Sequence, residues 1–300
     1  MILHNLITAS LFDQLKDVQK HDEEIYENPV IFHCYWDKEI GTNQMFSILS
    51  CYLTNVKNTN NKIILWVEYD IESYLNKPIY KILKNYCEIK HIDHLSERIG
   101  TPLEGHILEK ESMSTSAFYS DYIRLILLYK YGGMWFDLDI IFFKKFDYLF
   151  NTYDTFLPTF GRSNYPNNAI FWSRNKEVIE KLINLFLKHG CGHFGMQDTF
   201  ENRFENQNYF NFNSDLKINI LPCGWFDSLW VDDNYNFDIW FKDNNNEYFY
   251  DDAYCYHWHN RNHLKIEKNS PFHRRMKMIV KELYPQDKDI TQIEKKYSYI

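Results

Sequence analysis

Residues 120–143 have the sequence SDYIRLILLYKYGGMWFDLDIIFF, and the fold we expect depends on this stretch. When residues 117–131 are placed on a helix, apolar side chains cover most of its circumference, which predicts a helix buried on nearly all sides. Gly132 and Gly133 end this helix, because glycine adopts a left-handed backbone conformation without steric cost. The apolar residues that follow predict buried strands, so a core helix leads directly into the interior of a sheet.

Two charged residues interrupt the apolar surface of the helix. Asp121 and Arg124 are three residues apart, so they share one face of the helix. We therefore expect them to contact each other or a common ligand.

A second group of charges lies between two apolar runs, residues 134–136 and 140–143, which predict strands. In an extended chain Asp137 and Asp139 point to the same side, while Leu138 points into the core. Two carboxylates ~4 Å apart repel by about 4 kcal/mol at an effective dielectric constant near 20, so a cation between them would offset a real cost. Oxygen ligands of this kind favour Mg²⁺ or Mn²⁺ over zinc. The alternative interpretation is an ordinary acidic junction between a strand and a turn.

The complete stretch resembles the signature of the family 32 sugar transferases, which include capsule-type enzymes and the initiating mannosyltransferase, and whose core pattern the large glucosylating toxins share. The resemblance rests on the order of a Ser-Asp-x-x-Arg helix, a Tyr-Gly-Gly stop and an Asp-x-Asp flanked by aromatic residues. It implies that Asp121 and Asp137 contact the ribose of the nucleotide. It also implies that Arg124 contacts the donor and that Asp139 holds the metal, both in catalytic roles, with Asp137 as a further candidate metal ligand.

The same resemblance, which extends over residues 30–262, assigns roles outside the signature. Trp36, at the end of the first predicted strand, would stack on the uracil of the donor; the alternative is a core tryptophan at a strand end. Asn168 lies in an Asn-rich segment that the family places near the donor or acceptor sugar. Gln197 and Asp198 resemble a catalytic Gln-Asp pair that faces the sugar in related retaining transferases. In the alternative interpretation, Asp198 begins a helix and complements its dipole.

His257 is the candidate third metal ligand. The family has a His-x-Trp stretch near its end, and this chain has His257-Trp258-His259. Together with His263, these histidines also allow a zinc site, although no cysteine or carboxylate completes a tetrahedral set nearby in the sequence.

The rest of the chain predicts the layout of the fold. Strands are predicted at residues 30–36, 62–67 and 87–92, with helices between them at 43–56 and 71–85. Strands that alternate with helices favour a parallel, doubly wound α/β sheet, in which ligands bind beyond the carboxyl ends of the strands. The resemblance implies a GT-A-like nucleotide-sugar-binding fold, with a mixed, mainly parallel sheet flanked by helices.

The chain of 300 residues is long enough to bury a substantial core. We expect residues 30–265 to form the GT-A-like transferase domain. Residues 1–29 predict an N-terminal helical extension, and residues 266–300 a C-terminal helical tail packed on the domain.

Composition limits the partners and the compartment. A net charge of -8 argues against nonspecific binding to nucleic acid or to an anionic bilayer. No apolar run reaches the ~18 residues of a membrane span, and the N-terminal segment lacks the basic leader of a signal peptide. We therefore expect a cytoplasmic or other intracellular protein. The six cysteines have no Cys-x-x-Cys spacing, which favours reduced thiols over disulfides or zinc ligands.

The function expected from the resemblance is the transfer of a sugar from a nucleotide diphosphate, with UDP as the expected nucleotide, to an acceptor hydroxyl. The reaction would use Mn²⁺ or Mg²⁺ and retain the anomeric configuration. Two alternatives use the same fold: a noncatalytic nucleotide- or sugar-binding protein, and a metal-dependent phosphodiesterase or nucleotide-sugar hydrolase. The sugar and the acceptor depend on the shape of the pocket, which the fold does not determine.

Overall fold

The computed structural model describes residues 9–21, 25–106, 116–159, 161, 166–189, 218–231, 237–243, 252–260 and 265–285. The strands are β1 (Ile31–Trp36), β2 (Lys62–Val67), β3 (Glu88–His91), β4 (Gly133–Phe136), β5 (Ile140–Phe142), β6 (Thr155–Pro158), β7 (Ile170–Ser173), β8 (Asn219–Leu221) and β9 (Cys255–His257).

Seven of these strands form the main sheet, in the order β3-β2-β1-β4-β7-β6-β8. β1 runs parallel to β2 and β4, β2 to β3, and β6 to β8. β7 runs antiparallel to both β4 and β6. The predicted α/β fold with a mixed and mainly parallel sheet is confirmed.

The helices are α1 (Leu11–Val18), α2 (Thr42–Cys51), α3 (Pro78–Leu83), α4 (His94–Arg98), α5 (Ser116–Tyr131), α6 (Asp147–Thr152), α7 (Lys176–His189) and α8 (Pro271–Leu283), and a π-helical turn at Tyr52–Val56 extends α2. The single helix predicted for residues 71–85 is wrong. The chain forms a 3₁₀ turn at Ile71–Ser73, and α3 begins only at Pro78, because proline lacks the N–H that a helix interior requires. Within the described ranges, no helix combines the length and the apolar content needed to cross a bilayer.

Helices cover both faces of the main sheet, as predicted. Ile126 of α5 and Leu182 of α7 belong to one buried apolar cluster, which includes Trp135 of β4. Ile48 of α2 and Met276 of α8 belong to a second cluster on the opposite face. Each such side chain contributes about 1.5–3 kcal/mol when it is fully buried, so the core holds the strand ends in fixed positions.

The connection from α5 to β4 depends on two glycines. Gly133 has a φ of +91°, and a Cβ atom there would collide with the carbonyl oxygen of Ile31 on the neighbouring strand. Gly132 also has a positive φ, of +62°, and its carbonyl oxygen lies 3.1 Å from Nε2 of the buried His33 on β1. The predicted glycine stop is therefore also the place where β4 enters the sheet beside β1.

The chain leaves the main sheet after β4. β5 pairs antiparallel with β9 in a separate two-stranded sheet, with Ile140 opposite His257 and Phe142 opposite Cys255. The backbone N–H of Trp258 also donates to the carbonyl oxygen of Asp139, at 2.9 Å. This pairing brings the last described strand of the chain next to the acidic segment that follows β4.

Candidate active site

The acidic segment Asp137-Leu138-Asp139 is a turn between β4 and β5. The N–H of Ile140 donates to the carbonyl oxygen of Asp137 at 3.1 Å, so the extended chain assumed for this segment is wrong. The chain must turn here because β5 leaves the main sheet to pair with β9. Leu138 is buried, as predicted, and its carbonyl oxygen accepts a hydrogen bond of 2.8 Å from the hydroxyl of Ser47 on α2.

Arg124 connects the helix with this turn. Its Nη1 and Nη2 atoms donate to Oδ1 of Asp121 and Oδ1 of Asp137, each at 2.7 Å. The guanidinium is 1% exposed and lies 4.8 Å from the centre of the Trp135 ring. The indole N–H of Trp135 donates to the same Oδ1 of Asp137, at 2.6 Å. The two carboxylates are thus held by one buried cation.

Asn168, two residues before β7, joins the same network. Its side-chain N–H donates to Oδ1 of Asp121 at 3.0 Å, and the next residue, Ala169, accepts the backbone N–H of Asp137 at 2.8 Å. Four of the predicted donor-site residues, Asp121, Arg124, Asp137 and Asn168, therefore form one hydrogen-bonded group.

Asp139 faces a different partner. Its Oδ1 lies 3.2 Å from Nε2 of His257, and both side chains are largely buried, with exposed fractions of 14% and 11%. The pairing of β5 with β9 produces this contact, because it aligns Ile140 with His257. The acid pair is therefore divided between two neighbours, since Asp137 bonds to Arg124 and Asp139 contacts His257.

His259 and Asp227, which the sequence did not predict, also belong to the site. Oδ2 of Asp227 lies 2.6 Å from Nε2 of His259 and 3.9 Å from Nδ1 of His257. The rings of His257 and His259 are 3.8 Å apart between centroids. Nothing in the irregular segment around Asp227 indicated a site. His259 was visible only as a member of the histidine cluster, and Asp227 supplies the carboxylate that this cluster lacked.

Burial and neighbouring charges shift the pKa values of these groups. Burial lowers the pKa of His257, but the charges of Asp139 and Asp227 outweigh it and raise the pKa to about 9. Burial acts to raise the pKa of Asp139, yet the charge of His257 leaves it below its ordinary value. Burial raises the pKa of Asp137 to about 6 against the charge of Arg124, and raises that of Asp227 well above its ordinary value. A protonated His257 and an ionised Asp139 therefore stabilise each other.

Four side chains, called the cation cluster below, offer donor atoms that fit a divalent cation: Asp139, Asp227, His257 and His259. Asp227, His257 and His259 each offer a ligand atom within 4.8 Å of the others, and Asp139 lies on the other side of His257. In the described part of the chain, Asp139 Oδ1, Asp227 Oδ1 and His257 Nδ1 are buried without a hydrogen-bond partner. Carboxylates suit Mg²⁺ and Mn²⁺, whereas imidazoles suit transition metals, so the mixed set fits Mn²⁺ and also Zn²⁺.

The remaining predicted residues lie apart from this cluster. Trp36 is partly buried at the carboxyl end of β1, and its indole N–H donates to the carbonyl oxygen of Glu39 at 3.3 Å. Gln197 and Asp198 lie outside the described residues, so their predicted roles remain predictions.

Two family models match the chain. Residues 36–156 match a glycosyltransferase sugar-binding region containing a DXD motif, and residues 103–210 match a capsular polysaccharide synthesis protein. The first match includes the whole span from Asp121 to Asp139 and confirms the resemblance stated above. A search among proteins of curated function found no match.

Several solved structures are similar to this chain. PaToxG glycosyltransferase is 16% identical with a TM-score of 0.44, and the match covers 70% of this chain and 84% of that chain. Mouse xyloside xylosyltransferase 1, apo form, is 13% identical with a TM-score of 0.44, covering 78% of this chain and 99% of that chain. The glycosyltransferase GlyE of Streptococcus pneumoniae TIGR4 is 13% identical with a TM-score of 0.37, covering 65% of this chain and 46% of that chain.

Proposed function

We propose that this chain, a glycosyltransferase with a DXD-type sugar-binding region, transfers a sugar from a nucleotide diphosphate to an acceptor hydroxyl. The expected donor is a UDP-sugar, the expected cation is Mn²⁺ or Mg²⁺, and the expected outcome is retention, as the family resemblance implies. The contact between Asp139 and His257, at 3.2 Å, carries the proposal. It joins Asp139, a carboxylate of the acid pair, to the imidazole of His257 on β9, the last described strand.

The network around Arg124 would bind the nucleotide side of the donor. Asp121 and Asp137 are 14% and 30% exposed, so both carboxylates can accept hydrogen bonds from ribose hydroxyls. Arg124 is 1% exposed, and its first contribution is to hold these two carboxylates in place. Trp36 offers a partly buried ring for the base at the carboxyl end of β1, where ligands bind in sheets of this kind.

Asp139 and His257 would hold the cation, with Asp137 as the second carboxylate. When bound, the cation neutralises the negative charge that develops on the leaving diphosphate. Ser47 keeps the acidic turn in position through its bond to the carbonyl oxygen of Leu138, so Asp139 does not depend on the cation for its placement.

Asp139→Asn tests the metal-dependent donor site. We expect UDP to bind the wild-type protein in the presence of Mn²⁺ and not in the presence of a chelator. The variant should bind UDP at least about tenfold more weakly, because a charge-assisted contact is worth about 1.5–3 kcal/mol. Calorimetric titration measures all three. Asp154→Asn is the matched control, since this exposed carboxylate pairs with Arg174 away from the cation cluster. UDP binding that ignores the chelator and is unchanged in Asp139→Asn would contradict the proposal.

Turnover assays separate the proposed transferase from its two alternatives. A transferase is accelerated by the correct acceptor, whereas a nucleotide-sugar hydrolase releases sugar at a rate that does not depend on acceptors. A noncatalytic binding protein would bind UDP with Mn²⁺ and show neither reaction. Release of free sugar and formation of a glycosylated acceptor are measured in the same sample by mass spectrometry.

A further inference from the structure

His257 has carboxylates on both sides of its ring. Its Nε2 lies 3.2 Å from Oδ1 of Asp139, and its Nδ1 lies 3.9 Å from Oδ2 of Asp227. A neutral imidazole carries a proton on one nitrogen and a lone pair on the other. The two sides of His257 therefore cannot have the same role when it binds a cation.

On the side of the His257 ring that faces Asp227, two buried polar atoms have no hydrogen-bond partner among the described residues. The side chain of Asp227 is 4% exposed, and its Oδ1 has no hydrogen-bond partner in the described residues, nor has Nδ1 of His257. Buried polar atoms in this condition are rare and costly. A shift of ~1 Å would bring Asp227 and His257 to hydrogen-bond distance.

We propose that Asp227 is a positioning residue, which accepts the Nδ1–H proton of His257 and thereby directs the Nε2 lone pair toward Asp139 and the divalent cation. This inference rests on the cation of the proposed function. Carboxylates behind metal-binding histidines fix the ring orientation and the tautomer, and their loss weakens metal affinity about 10–100-fold. His259 keeps Asp227 in place from the other side, through its 2.6 Å contact.

The backbone holds Asp227 where this role requires it. Its N–H donates to the carbonyl oxygen of Cys223 at 2.7 Å, and its own carbonyl oxygen accepts the N–H of Trp230 at 3.1 Å. The preceding turn is fixed to α1, because Gln14 Oε1 accepts the N–H of Gly224 at 2.7 Å. Hydrogen bonds therefore hold the turn from which the side chain of Asp227 approaches His257.

A competing arrangement would place the cation on the other side of the ring, bound by Asp227, His259 and Nδ1 of His257. This arrangement uses the three side chains whose ligand atoms lie within 4.8 Å of one another, but Asp227 and His259 would have to exchange their 2.6 Å contact for the cation. The Nε2 side instead faces Asp139, whose Oδ1 lies 3.2 Å away and has no hydrogen-bond partner with good geometry among the described residues.

The experiment is a long-range ¹H–¹⁵N spectrum of the full chain with ¹⁵N-labelled histidine, recorded with and without Zn²⁺ as the diamagnetic probe. The His257→Gln variant assigns the signals of His257. We expect Zn²⁺ to shift Nε2 to a metal-bound resonance, while Nδ1 keeps its proton. A metal-bound Nδ1, or a His257 that Zn²⁺ leaves unchanged, overturns the proposal.

Asp227→Asn then tests the cause. We expect calorimetry to show Mn²⁺ binding weakened about 10–100-fold, with Asp154→Asn as the unchanged control. If Asp227→Asn does not fold, His259→Gln takes its place, with a smaller loss expected. Wild-type affinity in a folded variant overturns the proposal. Neither measurement uses a nucleotide or depends on turnover. A protein that binds Zn²⁺ through Nε2 of His257 but shows no transfer would therefore contradict the proposed function and still support the positioning role of Asp227.

Discussion

Among single residues, Arg124 shows most clearly how the site combines stability with function. Its guanidinium bonds to Asp121 and Asp137 and packs on the Trp135 ring. The protein therefore carries a fixed positive charge beside the acid pair, whether or not a ligand is bound. Removing that charge would leave the two carboxylates with only the neutral donors Asn168 and Trp135.

Arg124→Met should lower the free energy of unfolding by about 2–4 kcal/mol. This is less than a fully buried pair would lose, because Asp137 is partly exposed and solvent screens its charge. Urea denaturation measures the loss. Arg174→Met is the control, since Arg174 forms an exposed pair with Asp154, and its loss should stay below about 1 kcal/mol. Equal losses in the two variants would show that Arg124 does not hold the carboxylates.

At the scale of elements, His33 joins β1 to its two neighbours. Its Nδ1 accepts the indole N–H of Trp66 on β2 at 3.1 Å, and its Nε2 lies 3.1 Å from the carbonyl oxygen of Gly132. This pattern requires a neutral ring, with the proton on Nε2. Burial disfavours the charged form and lowers the pKa of His33 to about 3.

Stability should therefore depend on pH through His33. Between pH 6.5 and 3 the unfolded chain binds a proton that the folded chain does not, so acidification in this window destabilises the fold. The term is about 2 kcal/mol at pH 5 and nearly absent at pH 7. The His33→Gln variant lacks this pH-dependent contribution. The difference in free energy of unfolding between wild type and variant should therefore become about 2 kcal/mol smaller from pH 7 to pH 5. Urea titrations at both pH values test this, and a constant difference would contradict it.

Helix α1 supports the site from a distance. Gln14 is buried, its Oε1 accepts the N–H of Gly224 at 2.7 Å, and its carbonyl oxygen accepts the indole N–H of Trp225 at 3.0 Å. This turn carries Asp227. Helix α1 therefore helps to hold Asp227 of the cation cluster in position.

Gln14→Ala should loosen this turn and weaken Mn²⁺ binding by a few-fold, because Asp227 would lose part of its support, worth about 1 kcal/mol for one hydrogen bond. Calorimetric titration of Mn²⁺ measures the change. Gln19→Ala is the matched control, since Gln19 is exposed just after the same helix. An unchanged Mn²⁺ affinity in Gln14→Ala would show that α1 does not support the cation cluster.

For the molecule as a whole, local patterns predicted most of the elements and few of their contacts. The helix predicted at 117–131 is α5, and the strand at 62–67 is β2, because apolar periodicity and glycine stops are local signals. The family resemblance supplied His257, but its contact with Asp139 depends on the pairing of β5 with β9. Asp227 could not be predicted, because its partners lie on another segment and no spacing connects them.

The pairing of Phe142 with Cys255 also has a kinetic meaning. Closing so long a segment of chain has an entropic cost and slows folding, so we expect this pairing to form late. The cation cluster requires these strands to be paired, so we expect a bound ion to stabilise an arrangement that is absent from the folding transition state. We expect such an ion to slow unfolding and to leave the folding rate nearly unchanged, so it would protect the folded protein without guiding its formation.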